Sequence, residues 1–185
     1  MEQLEEHDDV AIEWHAFELH PAGASPLSPE RQARIIAGQP LLQKRAREQY
    51  GLEMKPGPVG TNSRPALVLE KYAQTQGKGA AFHVAAVRAY WEQGKDIGDT
   101  DVLRTVAEEV GLTTKDFEQI LTSEGFNEQV KADVEMAHAY GLTGVPALIF
   151  ADHYLVMGAQ PYQALKQVIE QVIEEEKVGG EGERG

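Results

Sequence analysis

Apolar and polar positions along this chain follow two rhythms, and the switches between them mark three stretches. In VAIEWHAFEL, Val10 to Leu19, β-branched and aromatic residues nearly alternate: Val10, Ile12, Trp14 and Ala16 share one face, with Ala11, His15, Phe17 and Leu19 near the other. That pattern predicts a β-strand covered on two sides. The preceding MEQLEEHDD reads as the last turns of a helix and an Asp-rich turn. After the proline-rich loop HPAGASPLSPE the period becomes helical. Ser28-Pro29 reads as N-cap and first helical position of a helix over 29–37; Gly38 and Pro40 break it, and 41–50 resumes up to Gly51. Asn62 or Ser63 caps a helix through about Gln76, a further one covers 79–93, and Asp99 or Thr100 caps 101–110. Thr113 with Asp116 resembles a capping box for 114–123, and Asn127 caps a last helix whose stripe is Val130, Val134 and Ala137, ending at Gly141.

Past Gly141 the rhythm turns over again. ALIF (147–150) and HYLVMG (153–158) are short β-like runs separated by Ala151-Asp152, which predicts a hairpin. Pro161 then opens a helix with Tyr162, Leu165, Val168, Ile169, Val172 and Ile173 on one face. The final VGGEGERG buries nothing and reads as a disordered tail. The order of strand, helical block, hairpin and helix predicts a mixed α/β layer with a helical insertion.

Composition narrows the classes of function. Thirty acidic against seventeen basic residues give a formal net charge of −13, which repels phosphate backbones and anionic lipid surfaces, so no nucleic-acid or membrane partner is expected. No apolar run approaches the ~18 residues of a membrane span, and MEQLEEHDDV lacks the basic start and apolar core of a signal peptide, which predicts a cytoplasmic location. The 185 residues contain no cysteine. Disulfides, thiolate nucleophiles and Cys-ligated metals are therefore excluded within them.

Few motifs carry chemistry. The six histidines are scattered, none paired at i, i+4 around a Glu as a zinc hydrolase helix requires, so no metal site is expected. Around Gly77-Lys78 a phosphate loop fails, because Tyr72 stands where a glycine is needed and Gly79 where a Ser or Thr is needed. The stretch TGVPALIF is more specific. Pro146 cannot donate a ladder hydrogen bond and pushes Val145 out of the α region, so it marks a stiff bend at a strand's threshold, compatible with an ordinary strand start and with a cis bond.

Five stretches taken together, EWHAFELHP (13–21), TNSRPAL (61–67), GKGAAFHVAAVRAYWEQGKDIGDTDVL (77–103), GLTGVPALIF (141–150) and YLVMGAQPYQAL (154–165), resemble the DsbA-like thioredoxin superfamily, particularly its FrnE-like cytosolic branch. The resemblance implies a thioredoxin-like α/β fold with a large helical insertion. It divides the chain into an N-terminal thioredoxin-like part over 1–28, the insertion over 29–141, a C-terminal thioredoxin-like part over 142–177 and the tail 178–185. It also implies that Val145-Pro146 is the cis-proline loop, with Gly144, Val145 and Pro146 presenting an extended protein or peptide substrate by strand addition.

The family's catalytic feature is a Cys-X-X-Cys at the start of its first helix, where the helix dipole favours the thiolate. No such motif is present. By the same comparison Met1 falls inside that first helix, and the first strand, its turn and most of the helix, roughly 25–30 residues of a βαβ unit, are missing. The expectation is that the chain begins downstream of its catalytic start, rearranges, or takes a strand from another molecule, and that as given it has no catalytic residue, no cofactor and no dithiol activity. Two alternatives stand beside this one. The kappa-class glutathione transferases and hydroxychromene-carboxylate isomerases are relatives that bind glutathione, and Thr61-Asn62-Ser63 is similar to a helix start near their glutathione site, which makes Asn62 and Ser63 candidate ligand-binding residues beside their plainer reading as helix caps. The other alternative is a non-catalytic binding module whose exposed edges accept an extended peptide or a second copy as a homodimer.

Overall fold

The computed structural model of the chain describes Leu4, residues 10–19, Pro21 and residues 25–182, with side chains through Glu175. In chain order the elements are α1 (Pro29–Tyr50), α2 (Arg64–Thr75), α3 (Gly79–Trp91), α4 (Thr100–Glu109), α5 (Phe117–Leu121), α6 (Glu124–Ala139), β1 (Ala147–Phe150), β2 (Tyr154–Met157) and α7 (Tyr162–Gly182). They divide between two compact units: His15–Met136, and Met1–Trp14 together with Ala137–Gly185.

The larger unit is helical. α2 lies at its centre because it has two apolar faces. Ala66, Leu69 and Ala73 join Phe82 of α3, Leu103 and Val106 of α4 and Phe117 of α5 in one core, while Val68 meets Ala16 and Val130 in a second. Leu69, Phe82, Leu103 and Val106 are wholly buried, each contributing about 1.5–3 kcal/mol of apolar burial. Asp99 caps α4 by accepting from the Asp101 N–H at 2.8 Å.

Four local expectations need correction. α1 is one 22-residue helix that continues through Gly38 and Pro40. Proline removes one donor, leaving the Ile36 carbonyl without its i+4 partner, but Ile36 is 55% exposed, so the lost bond falls on a part of the helix open to solvent. The helix starts as expected, with Ser28 accepting from the Arg31 N–H at 3.3 Å, and ends at Gly51 in the left-handed region, φ 66°. α5 covers only Phe117–Leu121 instead of 114–123; Asp116, expected to form a capping box with Thr113, makes no side-chain cap, and the neighbouring Thr114 Oγ1 donates to Glu108. α6 begins at Glu124, so Asn127 sits within its first turn, where its side-chain amide donates to the Leu121 and Ser123 carbonyls. Finally, residues 10–18 form no strand. A strand needs a neighbour's backbone, and among the described residues none pairs with this segment; the Ala16 N–H donates to the Asp133 carboxylate at 2.7 Å.

The second unit holds an antiparallel hairpin and α7. The register pairs Ala147 with Met157, Leu148 with Val156, Ile149 with Leu155 and Phe150 with Tyr154. The reversal occupies Ala151–His153, with Ala151 and Asp152 at φ 46° and 61°, and the His153 N–H donates to the Phe150 carbonyl. Leu148, Phe150 and Val156 pack on Leu165, Ile169 and Ile173 of α7, together with Leu4, Val10 and Ile12. Leu4 is helical; the helix and turn expected over 1–9 otherwise lie outside the described residues. α7 runs on to Gly182, past the last stripe residue Ile173, so residues 178–182, expected to belong to a disordered tail, are helical; 183–185 lie outside the described residues.

Candidate functional site

Side chains alternate across a strand, so the hairpin has two faces. Leu148, Phe150 and Val156 take the face toward α7, which leaves Ala147, Ile149, Leu155 and Met157 on the other; Leu155 and Met157 are exposed. Backbone groups alternate as well. The Gly158 N–H donates to the Pro146 carbonyl at 2.8 Å, extending the ladder one position beyond β1. In an antiparallel ladder every second pair exchanges hydrogen bonds, so Leu148 and Phe150 bond across to β2. The N–H and C=O groups of Ala147 and Ile149 therefore point to the opposite edge. The sheet is two-stranded, and among the described residues no strand pairs with that edge.

Gly144, Val145 and Pro146 lead into this edge. The Val145–Pro146 peptide bond is cis, the Val145 side chain is 54% exposed, and a Cβ added at Gly144 would meet nothing within 4 Å. From Gly144 to Phe150 there is no titratable group. The arrangement offers backbone donors and acceptors beside apolar side chains, which suits holding an extended chain, and supplies no nucleophile or proton carrier.

Asn62 and Ser63 lie in the other unit, at the start of α2. Asn62 Oδ1 accepts from the Arg64 N–H at 3.0 Å, whereas Ser63, the N-cap residue, makes no side-chain cap bond. The Asn62 oxygen is therefore engaged in starting the helix.

Two polar networks in the larger unit escape a pattern-based reading. In the first, Asp133 and Lys71 are both nearly buried and pair at 2.6 Å; the Ala16 N–H and His15 Nδ1, at 3.1 Å, also reach the same carboxylate. An ionised carboxylate only accepts, so His15 carries its proton on Nδ1. Burial pushes the Asp133 carboxyl up, but the bonds from Ala16, Lys71 and His15 together outweigh it, and the group sits below the usual carboxylate range. The available signal was a charge on an apolar stripe: Asp133 stands three residues after Val130 and four before Ala137. In the second network, Glu18 Oε2 accepts from Arg64 at 2.9 Å, and Arg64 also donates to Asn127 Oδ1 and to the Asn127 carbonyl. Glu18 Oε1 is buried and accepts no hydrogen bond from the described residues. Both networks anchor residues 15–18 to helices, which makes them structural. Among the described residues no group of three His, Asp or Glu side chains comes together as a metal ion would require, and no helix is long and apolar enough to cross a membrane.

Comparison with known proteins bears on the whole chain. The family model described as DSBA-like thioredoxin domain matches residues 1–170. An uncharacterized Bacillus subtilis protein, YwbO, is 29% identical over an alignment of 175 residues that covers 91% of this chain and 84% of that one. Two solved structures share the fold. A "probable DsbA oxidoreductase" from Streptomyces coelicolor superposes with a TM-score of 0.72 at 24% identity, covering 87% of this chain and 74% of its own. A 2-hydroxychromene-2-carboxylate isomerase superposes with a TM-score of 0.76 at 19% identity, covering 95% and 88%.

Proposed function

The chain belongs to the family of DSBA-like thioredoxin domains, and on that premise we propose that it binds extended polypeptide at the edge of β1, with Val145 and Pro146 as the entry to the site. The observation that carries this reading is the outward-facing backbone of Ala147 and Ile149 beside the apolar Ile149, Leu155 and Met157. A peptide laid along the edge gains ladder hydrogen bonds whatever its sequence, and the apolar face selects for apolar side chains. The family's chemistry is thiol-disulfide exchange, which proceeds by thiolate attack on a disulfide sulfur. With no cysteine, these 185 residues supply neither thiol, so we assign them the binding half of that activity.

The probe is a reduced, carboxymethylated unfolded protein carrying a fluorescent label, and the readout is its anisotropy. Saturable binding is expected. Val145→Glu, a change at an exposed position, places a charge against the bound chain and is expected to weaken binding about tenfold or more. Unchanged affinity in that variant would contradict the assignment.

The glutathione reading rests on Asn62 and Ser63. It loses ground because Asn62 already serves the helix start and because the likeness to the isomerase, at 19% identity, extends to the fold alone. We assign Asn62 to capping.

A further inference from the structure

We propose that the chain held at the edge of β1 is basic as well as apolar: an extended polypeptide in which lysine or arginine alternates with apolar residues. This deepens the reading of that edge as the binding site and rests on it. The first observation is where the charge sits. Residues 1–14 and 137–185, the unit that carries the edge, hold thirteen acidic residues against Lys166, Lys177 and Arg184, a net −10. Residues 15–136 hold seventeen acidic against fourteen basic, the remaining −3 of the chain's −13. The smaller unit thus carries most of the negative charge, and its potential attracts cationic chains and repels acidic ones.

The second observation is what each side of the edge offers. Side chains of an added strand alternate between the two faces of the sheet, as those of β1 do. One set falls beside Ile149, on the open apolar face with Leu155 and Met157. The other set turns to the face that α7 covers. At 3.6 residues per turn, Glu170 and Glu174 stand about 100° and 140° to one side of the buried Ile169, and Glu175 stands about 120° to the other. Tyr154 of β2 donates to Glu175, so Glu175 marks the β2 side of α7, and Glu170 and Glu174 mark the side of the free edge.

Both of these glutamates are exposed, and Asp152 stands exposed just beyond the end of β1. Lys166 pairs with Glu170 at 3.6 Å, whereas Glu174 has no ion-pair partner among the described residues. Lysine and arginine suit such a margin, because their methylene stems cover apolar surface while the charged ends reach carboxylates in water. From Gly144 to Phe150 there is no cation to oppose them.

Three short cysteine-free peptides, in which leucine alternates with lysine, glutamine or glutamate, test this by the anisotropy of an attached dye. At ~0.01 M salt, where the Debye length is ~30 Å, the lysine peptide is expected to bind about tenfold or more tighter than the glutamine peptide, and the glutamate peptide weakest. At ~1 M salt, where that length is ~3 Å, the three affinities are expected to converge. Glu170→Gln with Glu174→Gln, at exposed positions and with folding checked by circular dichroism, is expected to narrow the gap between the lysine and glutamine peptides at low salt. Equal affinities at low salt, with the glutamine peptide still weakened by Val145→Glu, overturn this proposal and leave the edge as the site. A lysine preference that the Glu170 and Glu174 substitutions do not reduce overturns it as well. Glutamine-peptide binding that Val145→Glu does not alter overturns the edge reading itself.

Discussion

Asp133 shows how one residue can hold a segment that has no strand to join. Its carboxylate takes Lys71, His15 and the Ala16 N–H, so the backbone at 15–16 is held by a side chain of α6. Asp133→Ala would leave the Lys71 ammonium buried without a counter-charge, and the expected loss is about 3–5 kcal/mol in urea unfolding. The pH dependence follows from the lowered carboxyl pKa. The folded-state value lies below the unfolded value of about 3.9, so this stabilisation is complete above that pH and is lost as pH falls through the folded value. Wild type should therefore lose stability more steeply than Asp133→Ala below about pH 4; parallel acid limbs would show that the carboxylate contributes nothing there.

Among the elements, periodicity was sufficient wherever a segment builds its own hydrogen bonds. α2, α3, α4, the hairpin and the start of α7 follow the apolar spacing, and Ser28 and Asp99 cap where their side chains can reach the first free N–H groups, whereas α5 is shorter and α6 starts earlier than the expected caps implied. It was insufficient where a partner decides. Residues 10–18 carry a strand's composition, but a strand exists only against another backbone, and none among the described residues is in place. Pro40 misled in the other direction, because one lost hydrogen bond does not end a helix where the residue that loses it, Ile36, is exposed. Pro40→Ala restores that donor to Ile36 and is expected to add about 1–3 kcal/mol of local helix stability, seen as slower amide hydrogen exchange within α1. Unchanged exchange would mean that the helix is not weakened at Pro40. Of the candidate site, Val145 and Pro146 stood out in the sequence by the proline's conformational constraint, whereas the outward edge of β1 depends on the ladder register, which the sequence pattern leaves open.

At the scale of the molecule, a thioredoxin-like fold is present over most of the chain, and its residues include no thiol. On the reading proposed above, binding and exchange are separable. In an insulin-reduction assay with dithiothreitol, the 185-residue chain is expected to give the rate of the reagent alone, and a rate comparable to a thioredoxin's would show thiol chemistry without cysteine and break the account. The most direct measurement is amide NMR of the 15N-labelled chain titrated with a reduced, carboxymethylated, apolar extended peptide. Strand addition predicts that the amides of Ala147 and Ile149, with Val145 beside them, shift together and become protected from exchange, while those of Leu148 and Phe150, already bonded to β2, move less. Peptide binding that leaves the Ala147 and Ile149 amides unmoved, or no binding at all, would contradict the claim that this edge holds an extended chain.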